Sequence, residues 1–518
     1  MKKETPQADP RRPKTGKILI AITGILMVSI LAYYFYLRLS PGEKTEKASA
    51  GIDLTSIAVI PMTNAMCDPE LEYLSAGMHD AVVTELGNIN SLLVKSKSAS
   101  LKYKDSELPL QQIASELGAN EIVKTSLVCG EKGTQLLVQL IQVYPEEKEI
   151  WRRTYDQDLE NILTIYRDIT HQVAKKMNID LAPQEEARLS RLRPVKPELY
   201  KAYAQGVFYM SKLTPEGFAQ GLKFLNQASA MDPSDPLPYL GLALGYSNAG
   251  HVSDAGAEAP DLAKAYALKA LELDSTLAEA YTVLATHYLY REWNWKATEK
   301  ALKRAIGLNP NISSLHYTLG WYLDLTRQFD EAEEEFKMAI RIDPLDPICT
   351  GYLAWHYLWL GSYKEVIPLA IKTLDLDPNY PMAFYVLGSA YAEMGLYDQA
   401  IETHKKGSAI STSLKCGLGV AYARAGRREE ALEVAAELEK YNNYWYTWGL
   451  ADIYAALGDK ERAIHWIEAA YEQHHDFAPW FANNFYYKAL SDDPRFQKII
   501  QSLNLPGLYP YTQLVSID

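Results

Sequence analysis

The chain has 518 residues, 48% hydrophobic and 23% charged, a balance that excludes an intrinsically disordered protein and leaves room for more than one domain. Net charge is −13, and because the first 17 residues hold six basic against two acidic side chains, the remainder stands at −17. So acidic a body lacks the clustered Lys and Arg that phosphate backbones require, so nucleic acid is not an expected partner.

Between Lys17 and Arg38 lie twenty uncharged residues, ILIAITGILMVSILAYYFYL. At about 1.5 Å per residue they span roughly 30 Å, the depth of a hydrocarbon core. Tyr33, Tyr34 and Tyr36 suit the interfacial belt. A transmembrane helix is expected over 18–37. The preceding Lys2, Lys3, Arg11, Arg12, Lys14 and Lys17 keep the tail 1–17 cytoplasmic and send the rest across. The competing reading is a cleaved signal peptide. The apolar run is longer than a usual signal core, and Ala48-Ser49-Ala50 lies well beyond it, so an uncleaved anchor is expected.

After a linker (38–54), strand-like and helix-like runs alternate over 55–182. SIAVIP (56–61) reads as a short strand ended by its Pro, and 70–86 carries Leu71, Leu74, Met78, Val82 and Leu86 at helical spacing. LLVKS (92–96) is a second strand. Pro109 opens a helix that runs to Leu117, with Gly118 as its stop. EIVKTSLVC and TQLLVQLIQVY flank a turn at 130–133 and read as a hairpin. A third consecutive strand (149–156) and a helix over 161–177 complete a small mixed α/β domain. Cys67 and Cys129 fall here; an oxidising compartment permits a bridge, and their spacing does not decide it. Cys349 and Cys416 lie further on and read as small buried hydrophobes.

Beyond a second linker (183–196), residues 197–490 repeat. Pro310, Pro344 and Pro378 recur every 34 residues, as do Leu319, Leu353 and Leu387. One unit reads Leu319-Gly320, Ala332, Phe336, Ala339, Pro344. This order resembles the tetratricopeptide repeat, in which small residues admit close helix approach, Gly opens the inner turn and Pro ends the second helix. About eight units are expected, one with an extra residue at its EWNW turn (292–295) and one with an insertion near 250–260. The segment 491–518 reads as a capping helix and tail, with Asp493 before Pro494 at the first helical position.

The α/β region resembles the TolB-N or FlgO-like domain through SIAVIPM (56–62), DPELEYLSAGM (68–78), IASELGA (113–119), WRRTYDQDL (151–159) and LAPQEEARL (181–189). Such domains occur beside the membrane segment of CadC-like regulators and of class III adenylate cyclases that carry tetratricopeptide repeats. The resemblance implies an α+β chain in a bacterial inner membrane, its N-terminus cytoplasmic and its bulk periplasmic. With 17 residues ahead of the apolar run, no winged helix or cyclase is carried over.

No catalytic signature is present: neither GxSxG, HExxH nor GxxxxGK occurs, and no enzyme activity, cofactor or metal is expected. His287 and His356 share one repeat position and read as structural. His474 and His475 in EQHHDF (472–477) project about 100° apart on a helix, so they read as a helix ending rather than a metal site. The acidic run DEAEEE (330–335) reads as a solvated face. The chain holds 36 Tyr and 10 Trp against 11 Phe, side chains that suit half-buried grooves. Tyr290, Tyr317, Trp321, Trp355, Trp359, Tyr385 and Trp448 fall at or near positions that line the concave groove of such arrays. Aromatic lining favours an apolar or Pro-containing peptide over an acidic chaperone tail. The expected function is a membrane-anchored interaction scaffold; the alternative is a sensory subunit whose output domain lies on another chain.

Overall fold

A computed structural model of the protein describes residues 55–65, 72–130, 133–156, 161–190, 194–248, 258–441 and 444–506. The expected membrane run 18–37, the flanking 1–17 and 38–54, Cys67 and the side chain of Cys129 lie outside the described residues. The chain divides into units 1–53 and 54–518, and every described residue belongs to the second.

Among the described residues five strands form one sheet in the order β2-β1-β3-β4-β5: β1 (Thr55–Ala65), β2 (Leu92–Val94), β3 (Glu121–Gly130), β4 (Gly133–Gln142) and β5 (Lys148–Asp156). β1 pairs parallel with β2 and β3, and β3, β4 and β5 form an antiparallel meander. The alternation of strand side chains sorts the core onto two faces. Ile57 and Val59 meet Met78, Val82 and Leu86 of α1 (Glu72–Gly87) and Tyr166, Ile169 and Val173 of α4 (Ile162–Lys176). Ala58, Ile60 and Ile122 face α2 (Lys97–Leu101) and α3 (Leu110–Leu117), among Ala99, Ile113 and Leu117. Gly118 stops α3 at φ 63°. Pro61 does not end the first strand: β1 continues to Ala65 after a register shift between Ile60 and Thr63. Because β2 pairs only with 55–57, β1 has a ladder on one side alone at Pro61, where a missing N–H is tolerated.

After α5 (Pro183–Leu189) come, among the described residues, eight antiparallel helix pairs. They are α6 (Pro197–Met210) with α7 (Pro215–Met231), α8 (Pro236–Ser247) with α9 (Ala259–Leu273), and α10 (Ala278–His287) with α11 (Trp295–Ile306). Next stand α12 (Ser313–Leu325) with α13 (Phe329–Ile342), α14 (Pro347–Trp359) with α15 (Tyr363–Leu376), and α16 (Pro381–Glu393) with α17 (Tyr397–Ile410). The last are α18 (Cys416–Arg424) with α19 (Arg428–Lys440) and α20 (Tyr444–Ala456) with α21 (Lys460–Glu472). The glycine of the Leu-Gly step is a packing device: a Cβ on Gly320 would stand 2.8 Å from the ring of Phe336, and one on Gly388 2.6 Å from His404. Cys349 and Cys416 are buried and neither forms a disulfide among the described residues.

Turns within the last four pairs close as Schellman motifs. Gly361, Gly395, Gly426 and Gly458 take φ of 71–76°, with Leu396 N–H, for example, donating to Tyr391 O at 2.9 Å. Two non-glycine residues hold the same slot at the same spacing, Arg327 at φ 60° and Trp293 at φ 51°. At Trp293 the closing bond runs from Asn294 N–H to Tyr288 O, one residue longer than Gln328 to Leu323, and the surplus is taken up as a π turn over Tyr288–Glu292.

The α/β domain is docked on the array through an apolar core that takes in Leu199, Tyr200 and Ala228 of α6 and α7, and through polar contacts beside β2. Asn311, between α11 and α12, behaves like a strand laid beside β2: its Oδ1 accepts the Val94 N–H at 2.8 Å and its Nδ2 donates to Leu92 O and Gly87 O. This covers a sheet edge that would otherwise be open to pairing with another chain. Beside it Lys95 Nζ donates to Arg341 O at 2.6 Å, and the Ser96 hydroxyl to Asp343. Gly77 lets α1 reach α6, its position lying against Ala204.

Candidate functional site

The first helices of successive pairs bring the expected groove aromatics together. Ring centroids of Trp321 and Trp355 lie 5.8 Å apart, of Trp321 and Trp359 5.3 Å, of Trp355 and Tyr385 5.7 Å, and of Tyr385 and Trp448 5.6 Å. Tyr317 reaches this cluster through Tyr352, at 5.2 Å, and Tyr352 packs in turn on Trp321. Burial raises the phenols of Tyr290, Tyr317 and Tyr385 well above their ordinary pKa, so they stay neutral.

Much of this wall is covered by the chain itself. Trp321, Trp355, Tyr385 and Trp448 are only 3, 2, 5 and 8% exposed. Beyond α21 the chain enters the concavity as two 3₁₀ turns, Ala478–Ala482 and Phe485–Leu490. Phe477 stacks on Trp355 at 5.5 Å and lies 5.4 Å from Trp448. Trp480 stacks on Tyr290 at 5.6 Å, meets Trp321 edge-on and lies tilted 6.4 Å from Trp359. Asparagines fix the backbone: Asn483 Nδ2 donates to Asp324 O at 2.9 Å, and Asn484 Nδ2 to Asp452 Oδ1 at 3.1 Å. The Tyr487 hydroxyl donates to the same Asp452 oxygen. Burial pushes the Asp452 carboxyl up to about 7. The segment leaves through α22 (Pro494–Ser502), capped by Asp493, and Trp295 Nε1 donates to Leu503 O at 2.9 Å. This tie joins the third pair to the end of the described chain.

Between the inserted segment and the wall a cavity of about 210 Å³ remains. Tyr290, Trp321, Tyr352, Trp359 and Met382 line it from the repeats, and Asp476 and Trp480 from the segment. Asp476 forms an ion pair with Arg291 at 3.5 Å.

The histidine-rich stretch is the hinge into this segment. His474 takes φ 56° while its N–H meets Tyr471 O, and His475 N–H meets Ala470 O, a Schellman ending of α21. The His474 ring stacks on Trp293 at 3.7 Å. Buried His475 is held down at about 4, and the Phe477 N–H donates to its Nδ1. His356 is fully buried with its Nδ1 2.8 Å from Asp324 Oδ1, and His287 Nδ1 lies 3.1 Å from Pro260 O. Asp330, Glu331 and Glu334 of the acidic run are exposed, while Ala332 and Phe336 are buried. Among the described residues no three His, Cys, Asp or Glu gather as a metal would require.

Sequence reasoning missed Asn483, Asn484 and Asp452. The signal lay in the density of Phe477, Trp480, Phe481, Phe485, Tyr486 and Tyr487 just past the last repeat, chemically matched to the wall.

Comparison with known proteins bears on the array. One tetratricopeptide repeat family matches residues 283–347 and 416–476, and another matches 383–410. The chain is 24% identical over 288 residues to "Putative adenylate cyclase 3" of Rhizobium meliloti, covering 54% of this chain and 42% of that protein. It is 31% identical over 109 residues to Hsp70-Hsp90 organizing protein 2 of Arabidopsis thaliana, 21% of this chain and 19% of that one. The matched stretches thus span less than half the length of these curated relatives. Among solved structures, PilW, a type IV pilus biogenesis factor, is 21% identical, with 42% of this chain and 96% of that one aligned at a TM-score of 0.34. Yeast Tom70 is 18% identical, with 59% and 67% aligned at 0.37. The helical array thus carries tetratricopeptide repeats over residues 283–347, 383–410 and 416–476.

Proposed function

We infer that this protein is a non-catalytic interaction scaffold, anchored to a membrane by residues 18–37 and exposing a TolB-N/FlgO-like domain and a tetratricopeptide solenoid outside the cytoplasm. The apolar run and the basic tail before it support the anchor; among the described residues no helix is long and apolar enough to cross a membrane. One observation carries the binding reading: the concave aromatic wall already holds a peptide, the chain's own 476–487, by ring packing and by asparagine contacts to the array. A partner peptide uses the same chemistry, placing an apolar side chain in the 210 Å³ space left beside Trp359 and Met382.

The test is affinity purification of the full chain from detergent, wild type against Met382→Trp, which fills that space while leaving the wall intact. Loss of the wild-type partners from a variant with an unchanged melting temperature is expected; an unchanged partner set refutes the groove assignment. A reporter fused after Asp518 tests topology, and a cytoplasmic signal refutes it. The match to a protein named as an adenylate cyclase favours a second reading, a sensory subunit acting on an output domain in another chain. A co-purifying cytoplasmic cyclase or regulator distinguishes it.

A further inference from the structure

A second cavity, of about 200 Å³, lies where the α/β domain meets the array, away from the aromatic groove. α1, α4 and α5 contribute Asp80, Glu85, Arg167 and Arg188; α6 and α10 contribute Tyr203 and Glu279. Most of the charges are already matched. Arg167 lies 3.6 Å from Glu85, and Lys97 stands 3.3 Å from Asp80. Arg188 gives its terminal nitrogens to the carbonyls of Asn88 and Leu308.

Besides the buried Arg188 Nε, which has no hydrogen-bond partner among the described residues, two polar groups are left over. Glu279, at the start of α10, has no side-chain partner among the described residues; its carboxyl meets only its own backbone N–H. The hydroxyl of Tyr203 likewise makes no hydrogen bond among them. Glu279 is half-buried and has no ion pair among the described residues, and desolvation holds its carboxyl up at about 7. The surroundings are the rings of Tyr166, Tyr200 and Tyr203 with the side chains of Leu240 and Leu244. The space exceeds the roughly 150 Å³ that accommodates benzene in an engineered protein cavity.

We propose that this cavity is a binding site for a small organic ammonium, whose charged head pairs with Glu279 and whose apolar body rests on the tyrosine rings. The chemistry selects against other classes. An anion would face Asp80, Glu85 and Glu279, and Arg188, whose terminal nitrogens are spent on carbonyls, would offer it only Nε. A bare metal ion finds too few ligands. An ammonium group supplies the missing partner for the carboxylate and is attracted by the tyrosine π faces. Because Asp80 and Glu85 belong to the domain and Tyr203 and Glu279 to the array, the ligand binds across the seam and strengthens the docking of one on the other.

The test uses the full chain in detergent micelles and three probes of one shape: benzylammonium, benzyl alcohol and benzoate, titrated calorimetrically at pH 7.5. Benzylammonium is expected to bind and raise the melting temperature. Glu279→Gln, which keeps the shape and removes the charge, is expected to weaken that binding tenfold or more. Leu244→Trp, which fills the space and leaves Glu279 in place, should abolish it. Equal binding of ammonium and alcohol, or unchanged affinity in Glu279→Gln, overturns the proposal. Binding that survives Leu244→Trp in a variant with wild-type melting also overturns it, because the probe then sits elsewhere.

Discussion

The chain closes on itself twice, by opposite means. In the concavity, aromatic rings of the repeats meet aromatic rings of the C-terminal segment, with a few asparagine contacts at the margin. Along the polar part of the seam with the α/β domain, Asn311, Lys95, Ser96 and Arg188 read backbone groups and a carboxylate, apart from the apolar contact that Leu199, Tyr200 and Ala228 make with the domain core. The first contact draws on apolar area, which is strong and tolerant of direction; the second draws on hydrogen-bond geometry, which is weaker but fixes one arrangement. The aromatic closure should therefore dominate stability, and the polar closure should dominate alignment.

The strongest way to break this contrast is Trp480→Ala. The substitution removes a side chain that touches Tyr290, Trp321 and Trp359 and leaves its volume empty. A loss of about 3–5 kcal/mol is expected in denaturant unfolding. Limited proteolysis of the variant should cut first between 476 and 490. A protected segment with a loss under about 1 kcal/mol would show that the asparagines hold it, reversing the proposed ranking.

Asp452 sharpens the contrast from inside the aromatic closure, because it is the buried carboxyl on which Tyr487 and Asn484 converge. Its folded pKa of about 7 lies above its ordinary value of 3.8, so between those limits the folded chain holds a proton that the unfolded chain has lost. The associated stability is complete below pH 4 and drains away as pH rises to 7, at up to about 1.4 kcal/mol per unit. Asp452→Asn cannot ionise, and its oxygen still accepts both hydrogen bonds. Relative to wild type it should gain up to about 3 kcal/mol between pH 5 and pH 7. Parallel pH profiles for the two proteins would mean that Asp452 keeps an ordinary pKa.

Legibility in the sequence divides along the same line. The 34-residue period, the strand–helix alternation and the aromatic set were all legible, since each rests on local spacing. Pro61 misled because a proline ends a strand only where its N–H is needed, and β1 has a neighbour on one side there. Arg327 and Trp293 hold left-handed turn positions that a search for Gly alone passes over. The inserted segment escaped because Ala478–Leu490 has no helical or alternating period to betray it. Asn311 was illegible for a deeper reason: it sits 217 residues from the amide it satisfies, and no local pattern encodes that meeting.

Asn311→Ala is accordingly the sharpest probe of the polar closure, although its energetic effect is the smallest. The change strips one acceptor from Val94 and one donor shared by Leu92 and Gly87, with almost no loss of apolar area. Water can reach a partly buried edge, so the cost should be about 1–2 kcal/mol rather than the full penalty of orphaned groups. The local effect should be larger than the global one. Hydrogen exchange at Val94 is expected to quicken well beyond that of Val59 on the neighbouring strand, and the bare edge of β2 should raise the tendency to self-associate. If Val94 exchanges as slowly as before, Lys95 and Ser96 suffice to hold the edge, and the alignment of domain on array does not depend on one amide.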